Sequence, residues 1–126
     1  GYDIEPGVAI ALDVTGVGDT PKGLKRVPME LGKGACIKVK DMASISNRYI
    51  VEKLKELAQK YNIPHQMEVL IFGGTDAAGY QATKSGIPSA TISIPTRYIH
   101  TPSEMVYKPD VEATIELTIK YCEEGL

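Results

Sequence analysis

The chain has few of the residues that mark a membrane segment, a disulfide framework or an aromatic-lined cleft. Its 126 residues include two cysteines, one phenylalanine and no tryptophan. The longest apolar runs, Val8–Leu12 and Val69–Phe72, are far shorter than the ~20 residues of a membrane-spanning helix. We therefore expect a single domain with one hydrophobic core and no membrane partner.

An excess of one charge is also missing. Lys and Arg number 14 and Asp and Glu number 16, which gives a net charge of −2 at pH 7. The two signs are mixed along the chain, whereas a nucleic-acid-binding surface would need a basic patch. The sequence therefore predicts no nucleic acid among the partners.

The two cysteines, Cys36 and Cys122, form no CxxC or Cys/His arrangement. This pattern favours two buried thiols in a reducing compartment over a disulfide or a zinc knuckle. The chain starts at Gly1-Tyr2-Asp3 with no visible signal peptide, so either the start was removed or the chain is a fragment. A cytoplasmic location is the expectation.

Apolar residues recur at strand and helix spacings in alternation. The predicted strands are Gly7–Val14, Arg26–Leu31, Ala35–Val39, Gln66–Phe72 and Ser89–Ile94. Thr15–Gly23 and Pro95–Pro109 are predicted loops because Gly, Pro, Thr and Asp are frequent in them.

Three helices are predicted between and after these strands. The first begins at Ser46, which can cap it, and ends at Asn62 and Pro64. The second is short: it follows the turn Gly73–Asp76, in which the Thr or the Asp can be the cap, and ends before Gly86. The last helix, Asp110–Glu124, is predicted to bury one apolar stripe: Val111, Ile115, Ile119 and Cys122. This order predicts an α/β fold, a three-layer sandwich with a largely parallel central sheet.

Two polar residues follow apolar strands and are candidates for chemistry. Asp13 ends the first strand, and His100 lies in the loop after the last strand. Ligands of open α/β sheets collect at the carboxyl ends of strands, and Asp and His are both ligands for zinc, cobalt or manganese. A turn-capping role for Asp13 and a surface role for His100 are the alternatives. His65 has no partner at ligand spacing and is predicted to be structural or exposed.

Three co-linear segments resemble one family: ALDVTGVGDTP (Ala11–Pro21), LGKGACIKVKD (Leu31–Asp41) and the stretch from FGGTDA to RYIHTPSEMV (Phe72–Val106). They are similar to the C-terminal half of the catalytic domain in TET-type (tetrahedral) dinuclear metallo-aminopeptidases. That family includes glutamyl and leucyl aminopeptidases and relatives labelled endoglucanase. The resemblance implies a hydrolase with two divalent metal ions, zinc or cobalt, that removes N-terminal residues from peptides and forms homo-oligomers, including tetrahedral dodecamers.

The resemblance also implies roles for individual residues. Asp13 and His100 would each bind a different ion, while Gly74, Thr75 and Asp76 would border the substrate pocket. A simple strand-to-helix turn with a capping Thr is the alternative for the last three.

Several parts of the family's site have no counterpart in the sequence. These are an upstream His, a bridging Asp and a Glu-Glu pair that supplies the general base, and the N-terminal half and an inserted β-domain are also missing. The pair Glu123-Glu124 ends the last helix and is expected to be solvated. The resemblance therefore implies no catalytic residue in this chain.

Two other functions remain open. A non-catalytic fragment or assembly module of the same fold would keep the scaffold without the chemistry. The endoglucanase label is less favoured, because glycosidases use two carboxylates and the chain has few of the aromatic residues that commonly line sugar sites.

Overall fold

The computed structural model describes residues 1–23 and 26–125. Within these ranges the strands are β1 (Ala9–Gly16), β2 (Ala35–Lys40), β3 (His65–Val69), β4 (Ser89–Arg97) and β5 (Met105–Val106). The helices are α1 (Arg48–Lys60), α2 (Ala77–Gln81) and α3 (Lys108–Glu124). None of these helices is both long and apolar enough to span a bilayer.

The strands form one mixed sheet in the order β1-β4-β2-β3, with β5 added beside β4. The long pairing of β1 with β4 is parallel, from Ala9↔Ser89 to Gly16↔Thr96, and so is that of β2 with β3. The shorter pairings of β4 with β2 and with β5 are antiparallel. β1 and β4 therefore end at the same edge of the sheet.

Helices lie on both faces of this sheet, which confirms the three-layer α/β architecture. On one face, α1 and α3 pack against alternate residues of β2 and β4 and enclose the main core, in which Leu54, Leu57 and Leu117 are fully buried. Burying each of these leucines contributes about 1.5–3 kcal/mol. On the opposite face, the Ser89 hydroxyl donates to the Ala77 carbonyl of α2.

The predicted strand Arg26–Leu31 is absent from the described residues, and this prediction was wrong. Val27 and Met29 are buried on alternate positions, which is the pattern that suggested a strand. The backbone of Glu30, however, exchanges hydrogen bonds with the amide of Gln66 instead of joining a ladder (3.1 and 2.9 Å). A side chain thus satisfies the polar groups that a neighbouring strand would otherwise bind.

Strand lengths differ from the predictions where pairing partners begin or end. β4 continues through Pro95 to Arg97 because β1 pairs with it as far as Thr96 and β5 pairs with its last two residues. β3 stops at Val69, since β2 ends at Lys40. The predicted strand end at Ile71 and Phe72 is instead an exposed segment.

The cap of α1 is Asn47 and not Ser46. The Asn47 side chain accepts hydrogen bonds from the backbone N–H groups of Tyr49 and Ile50 (3.0 and 3.4 Å). Ser46 is buried one residue earlier. Both residue types are good caps, so the sequence alone could not separate them.

The last helix buries a different stripe from the predicted one. Ala113, Leu117 and Tyr121 are buried, whereas Ile115 and Ile119 are 54% and 49% exposed. The buried residues and the predicted ones both recur every four residues, so the periodicity fits either stripe. Packing against α1 and the sheet buries the stripe that contains Leu117. Cys122 is exposed as well, which corrects the prediction of two buried thiols: only Cys36 is buried.

The start of α3 is fixed to the turn before β2. The buried carboxylate of Asp110 accepts the backbone N–H groups of Gly32 and Gly34 (2.7 and 2.8 Å). Gly34 has φ +86° and a Cβ there would lie 2.0 Å from the Pro64 carbonyl oxygen, so only glycine fits. This turn delivers the chain into β2, whose side chains reach the candidate site.

Candidate functional site

A cavity of about 120 Å³ lies near the carboxyl ends of β1 and β4. It is lined by residues of β1, β2 and the segments after β3 and β4: Asp13, Val14, Gly16, Lys38, Leu70, Phe72, Gly73, Gly74, Thr75, Ile99 and His100. Four of the five residues singled out in the sequence, all except Asp76, are in this set. The structure therefore brings Asp13 and His100 to the same cavity.

Asp13 lies inside β1 and not at its end, because the strand continues to Gly16. It is half-buried and stands opposite Ser93 of β4. One carboxylate oxygen, Oδ1, accepts the N–H of Val14 at 2.7 Å. This bond orients the carboxylate against the strand at the cavity wall.

His100 is held in an unusual backbone conformation. Its φ is +63°, and that of Tyr98 two residues earlier is +57°. The His100 N–H donates to Glu104 Oε1 at 2.6 Å, and the Thr101 hydroxyl donates to the Tyr98 carbonyl at 2.6 Å. Left-handed non-glycine residues cost on the order of 1–3 kcal/mol each and cluster at functional sites. The loop thus fixes the backbone of His100, whose exposed side chain lines the cavity.

The turn after β3 forms another wall of the cavity. At Gly74 a Cβ would lie 2.7 Å from the Ala43 Cβ, so the close approach of these two segments requires glycine. The Thr75 hydroxyl is bonded to Thr91 Oγ1 (2.9 Å) and to Asp41 Oδ2 (3.3 Å) rather than capping α2. Asp76 takes the cap position of α2, is exposed, and is outside the described lining of the cavity.

Beneath this wall lies a group of charges that the sequence reading missed. The Lys38 ammonium is 2.7 Å from Glu68 Oε1 and 3.5 Å from Asp41 Oδ2, and all three side chains are fully buried. Burying an ion costs several kcal/mol even after relaxation, so removing one partner from such a group is strongly destabilising. We call Lys38, Asp41 and Glu68 the Lys38 cluster.

Asp41 is held as a carboxylate. Burial would raise its pKa, but hydrogen bonds from the N–H groups of Ala43 and Ser44, from the Ser44 hydroxyl, and the charge of Lys38 together lower the pKa below its ordinary value. The carboxylate is therefore ionised at neutral pH and acts only as an acceptor.

A second ion pair joins the loop after β1 to the last residue of β4. Asp19 accepts two hydrogen bonds from the Arg97 guanidinium (2.9 and 3.0 Å) and one from the Leu31 N–H (3.0 Å). The hydrogen bond to Arg97 is the main cause of the lowered pKa of Asp19, and it outweighs burial. Since Arg97 precedes the Tyr98–His100 loop, the pair anchors the segment that carries the imidazole.

Substituting Asp19 with Asn should destabilise the protein at neutral pH and have a smaller effect in acid. The folded pKa of Asp19 is below the ordinary 3.8, so its ionisation stabilises the fold above that pH. As the pH falls below 3.8 through the lowered pKa, this contribution is lost. We expect a difference of about 1 kcal/mol at pH 7, because the pair is bidentate but partly exposed. Urea unfolding of wild type and D19N at pH 7 and pH 3 measures it. An equal difference at both values would contradict the assignment.

Other residues considered from the sequence lie in structural contacts. His65 Nδ1 is 3.0 Å from the Ile63 carbonyl at the start of β3, a contact that suits a structural role. Glu124 binds Lys60 and Glu123 binds Lys120 at the end of α3 (2.6 and 2.8 Å).

Cys36 is unreactive for a physical reason. Burial, and next the charges of Glu68 and Asp110, raise the pKa of its thiol far above the ordinary value. The thiolate is the nucleophilic and metal-binding form of cysteine, so this side chain packs as a small apolar group.

The cavity offers a carboxylate and an imidazole as metal donors. Together they suit a borderline ion such as Zn²⁺ or Co²⁺. Across residues 1–23 and 26–125, no group of three or more His, Cys, Asp and Glu side chains is close enough to hold a metal ion. A catalytic zinc usually takes three protein ligands, so the two donors fit part of a metal site.

Comparison with known proteins gives the class. The family model of the M42 glutamyl aminopeptidases matches residues 1–117. The chain therefore belongs to the M42 glutamyl aminopeptidase family. Over 124 residues it is 37% identical to the lysyl aminopeptidase of Pyrococcus furiosus. The aligned region covers 98% of this chain and 35% of that protein.

Solved structures of aminopeptidases share the fold. Aminopeptidase APDkam598 from the archaeon Desulfurococcus kamchatkensis superposes with a TM-score of 0.93 at 38% identity, over 98% of this chain and 36% of its own. The TET1 peptidase of Pyrococcus horikoshii, which can assemble into a tetrahedron or a large octahedral shell, superposes with a TM-score of 0.75 at 27% identity. The superposition covers 92% of this chain and 33% of that one.

The chain spans about a third of the length of these proteins. The expectation that it amounts to half of a catalytic domain was therefore wrong in extent. Within the described residues the cavity has two side chains that could bind a metal ion, Asp13 and His100, and no group of three.

Proposed function

We propose that this chain is part of a two-metal aminopeptidase in which Asp13 and His100 each bind a different divalent ion, zinc or cobalt. The observation that carries the proposal is that both side chains line one cavity although they lie at opposite ends of the sequence. When bound, such ions polarise a carbonyl and lower the pKa of a water molecule. The general-base Glu and the remaining ligands come from outside this chain.

The residues of the chain hold the two metal donors in place and form a wall for the substrate. Asp13 is fixed by its bond to the Val14 N–H, and His100 by the left-handed loop and by Glu104. Gly74 and Thr75 form the wall on which we place the N-terminal residue of a peptide substrate, with Asp76 beside it.

Assembly and location are part of the same proposal. The P. horikoshii TET1 peptidase builds closed shells, so we propose that the full-length protein is a homo-oligomer, with a tetrahedral dodecamer as the first form to test. Peptides are the proposed substrates, and the cytoplasm is the proposed compartment. Neither nucleic acid nor a membrane has a role in it.

Two other functions are less well supported. A non-catalytic assembly module would explain the two-donor site, but it leaves the strained backbone at His100 without a purpose. An endoglucanase would need two carboxylates across the cleft. Among the described lining residues Asp13 is the carboxylate and Phe72 the aromatic side chain, which argues against that chemistry.

Removing either donor tests the proposal directly. In the full-length protein, D13A and H100A should each lose about one ion per subunit, because each residue is assigned to a different ion. Turnover of amino-acid p-nitroanilides should fall at least ~100-fold, since several kcal/mol of transition-state stabilisation are lost. Elemental analysis and steady-state kinetics measure the two effects.

His65 supplies the matched control, because it is the other histidine of the chain and is bonded to a backbone carbonyl. The H65Q protein should keep its ions and its turnover. Full metal occupancy in both D13A and H100A would remove these residues from the site. Loss of metal in H65Q to the same degree would show an effect on folding rather than ligation.

A further inference from the structure

The Lys38 cluster is next to the cavity and bears on more than stability. Lys38 itself lines the cavity, while Asp41 and Glu68 are fully buried behind it. Replacing a buried ion group by apolar residues is often neutral or stabilising, so the presence of the cluster is weak evidence for a stabilising role. The question is which part of the site these charges hold in place.

Asp41 connects the cluster to the cavity wall. Its Oδ1 accepts the N–H groups of Ala43 and Ser44 (2.9 and 2.7 Å), which forms a tight turn. Its Oδ2 faces both the Lys38 ammonium (3.5 Å) and the Thr75 hydroxyl (3.3 Å). One carboxylate oxygen thus joins the buried charge to a residue that lines the cavity.

The same turn supports the wall through its backbone. The Met42 N–H donates to the Gly73 carbonyl at 3.2 Å, and Ala43 packs against Gly74 at the closest approach that glycine permits. The segments 41–44 and 73–75 are therefore in contact through a backbone hydrogen bond, a side-chain hydrogen bond and a close packing contact.

The ionised state of Asp41 fixes the direction of the hydrogen bonds that Thr75 makes with Asp41 and Thr91. An ionised carboxylate only accepts, so the Thr75 hydroxyl donates its single proton to Asp41. Thr75 must then accept the proton of Thr91 in their 2.9 Å bond. The hydroxyl of Thr75 has no freedom left, and the surface that Thr75 presents to the cavity is set by Asp41.

We propose that Asp41, held by Lys38 and Glu68, is a positioning residue that sets the Gly73–Thr75 wall for substrate binding. This inference rests on the proposed function and deepens it by separating residues that act on binding from those that hold metal. Losing the Asp41–Thr75 contact weakens binding of the substrate's N-terminal residue and leaves the chemical step and the metal content unchanged.

The test uses T75V in the full-length enzyme, because valine keeps the shape of threonine without the hydroxyl. We expect KM to rise about 5- to 30-fold, as expected for one or two buried hydrogen bonds. We expect kcat to change less than about twofold, because the contact between the wall and the substrate's N-terminal residue is the same in the ground and transition states. T75S should restore KM, and D41N should match T75V.

A matched control is T114V, which removes another buried threonine hydroxyl, bonded to the Asp110 carbonyl on the opposite side of the sheet. It should lose stability without a change in KM. A second readout is hydrogen exchange of residues 42–44 followed by mass spectrometry, because the Met42 N–H donates to the Gly73 carbonyl and the Ala43 and Ser44 N–H groups donate to Asp41. Exchange there should be faster in T75V and D41N than in wild type and unchanged in T114V.

The outcomes separate this inference from the proposed function. Unchanged KM in T75V, or a fall in kcat together with metal loss, overturns the positioning role. Unchanged exchange of residues 42–44 in both variants overturns it as well, whether or not the enzyme is active. A wild-type protein without turnover rejects the proposed function by itself, and the exchange result still decides whether Asp41 holds the wall.

Discussion

Replacing Lys38 with methionine lowers the free energy of unfolding by about 3–5 kcal/mol, the range for removal of one partner from a buried ion group. The reason is the environment of Glu68. Its side chain is fully buried, its Oε1 lies 2.7 Å from the Lys38 ammonium, and its Oε2 has no hydrogen-bond partner among the described residues. Without the ammonium, a carboxylate must either stay charged in the interior or take up a proton.

A double substitution distinguishes lost attraction from simple loss of packing. K38M together with E68Q should recover part of the stability, because the Glu68 charge is removed with its partner and the carboxylate of Asp41 keeps its hydrogen bonds from the Ala43 and Ser44 N–H groups. K53M is the matched control, since Lys53 pairs with Glu56 at the surface and its loss should cost about 1 kcal/mol or less. Equilibrium urea unfolding of the full-length protein at pH 7 measures all three. Equal costs for K38M and K53M would show that the Lys38 cluster is accessible to water.

The helices and strands were predictable where apolar spacing was unambiguous. The stripe of α1 admits one buried face, and the apolar run Gly7–Val14 predicted the strand β1. Its apolar character did not fix its place in the sheet, because β1 is a terminal strand of the described sheet and Leu12 is 60% exposed. In α3, by contrast, two stripes of equal spacing compete, and only packing decides that Leu117 is buried and Ile119 is not. Strand order was also out of reach, because pairing of β2 with β4 joins residues distant in sequence.

The candidate site was predictable in part because polar residues after apolar strands meet at one sheet edge. That rule made Asp13 and His100 candidates, although Asp13 lies inside β1 and not after it. It could not find the Lys38 cluster, because a lysine within a strand is usually expected to face solvent. The available signal was the pair of opposite charges, Lys38 in ACIKV and Glu68 in QMEVL, each inside an apolar strand. A charge in such a position requires a partner, and each strand supplies one for the other.

The 126-residue chain expressed alone should show no aminopeptidase activity, even with added zinc or cobalt. Asp13 and His100 are two donors for two ions, and the described residues contain no group of three ligands that could fix an ion. Nor is a carboxylate placed as general base beside them, since Asp19 is bound to Arg97 and Asp41 is buried beneath the wall. Assays of the purified chain with amino-acid p-nitroanilides, with and without metal, measure this directly.

The isolated chain should also associate with itself. β1 is a terminal strand of the described sheet, paired with β4 on one side, and its Leu12 is 60% exposed. An unpaired apolar edge offers backbone donors and acceptors to any other strand, so copies of the chain should join there or aggregate. Size-exclusion chromatography with light scattering should therefore detect species larger than 13.7 kDa. L12K, which places a charge on that edge, should shift the chain toward monomer, whereas I115K on the exposed face of α3 should not. A monomer with metal-dependent turnover would require ligands that the cavity does not assemble, and Asp76, exposed beside the Thr75 wall, would then be the first residue to substitute.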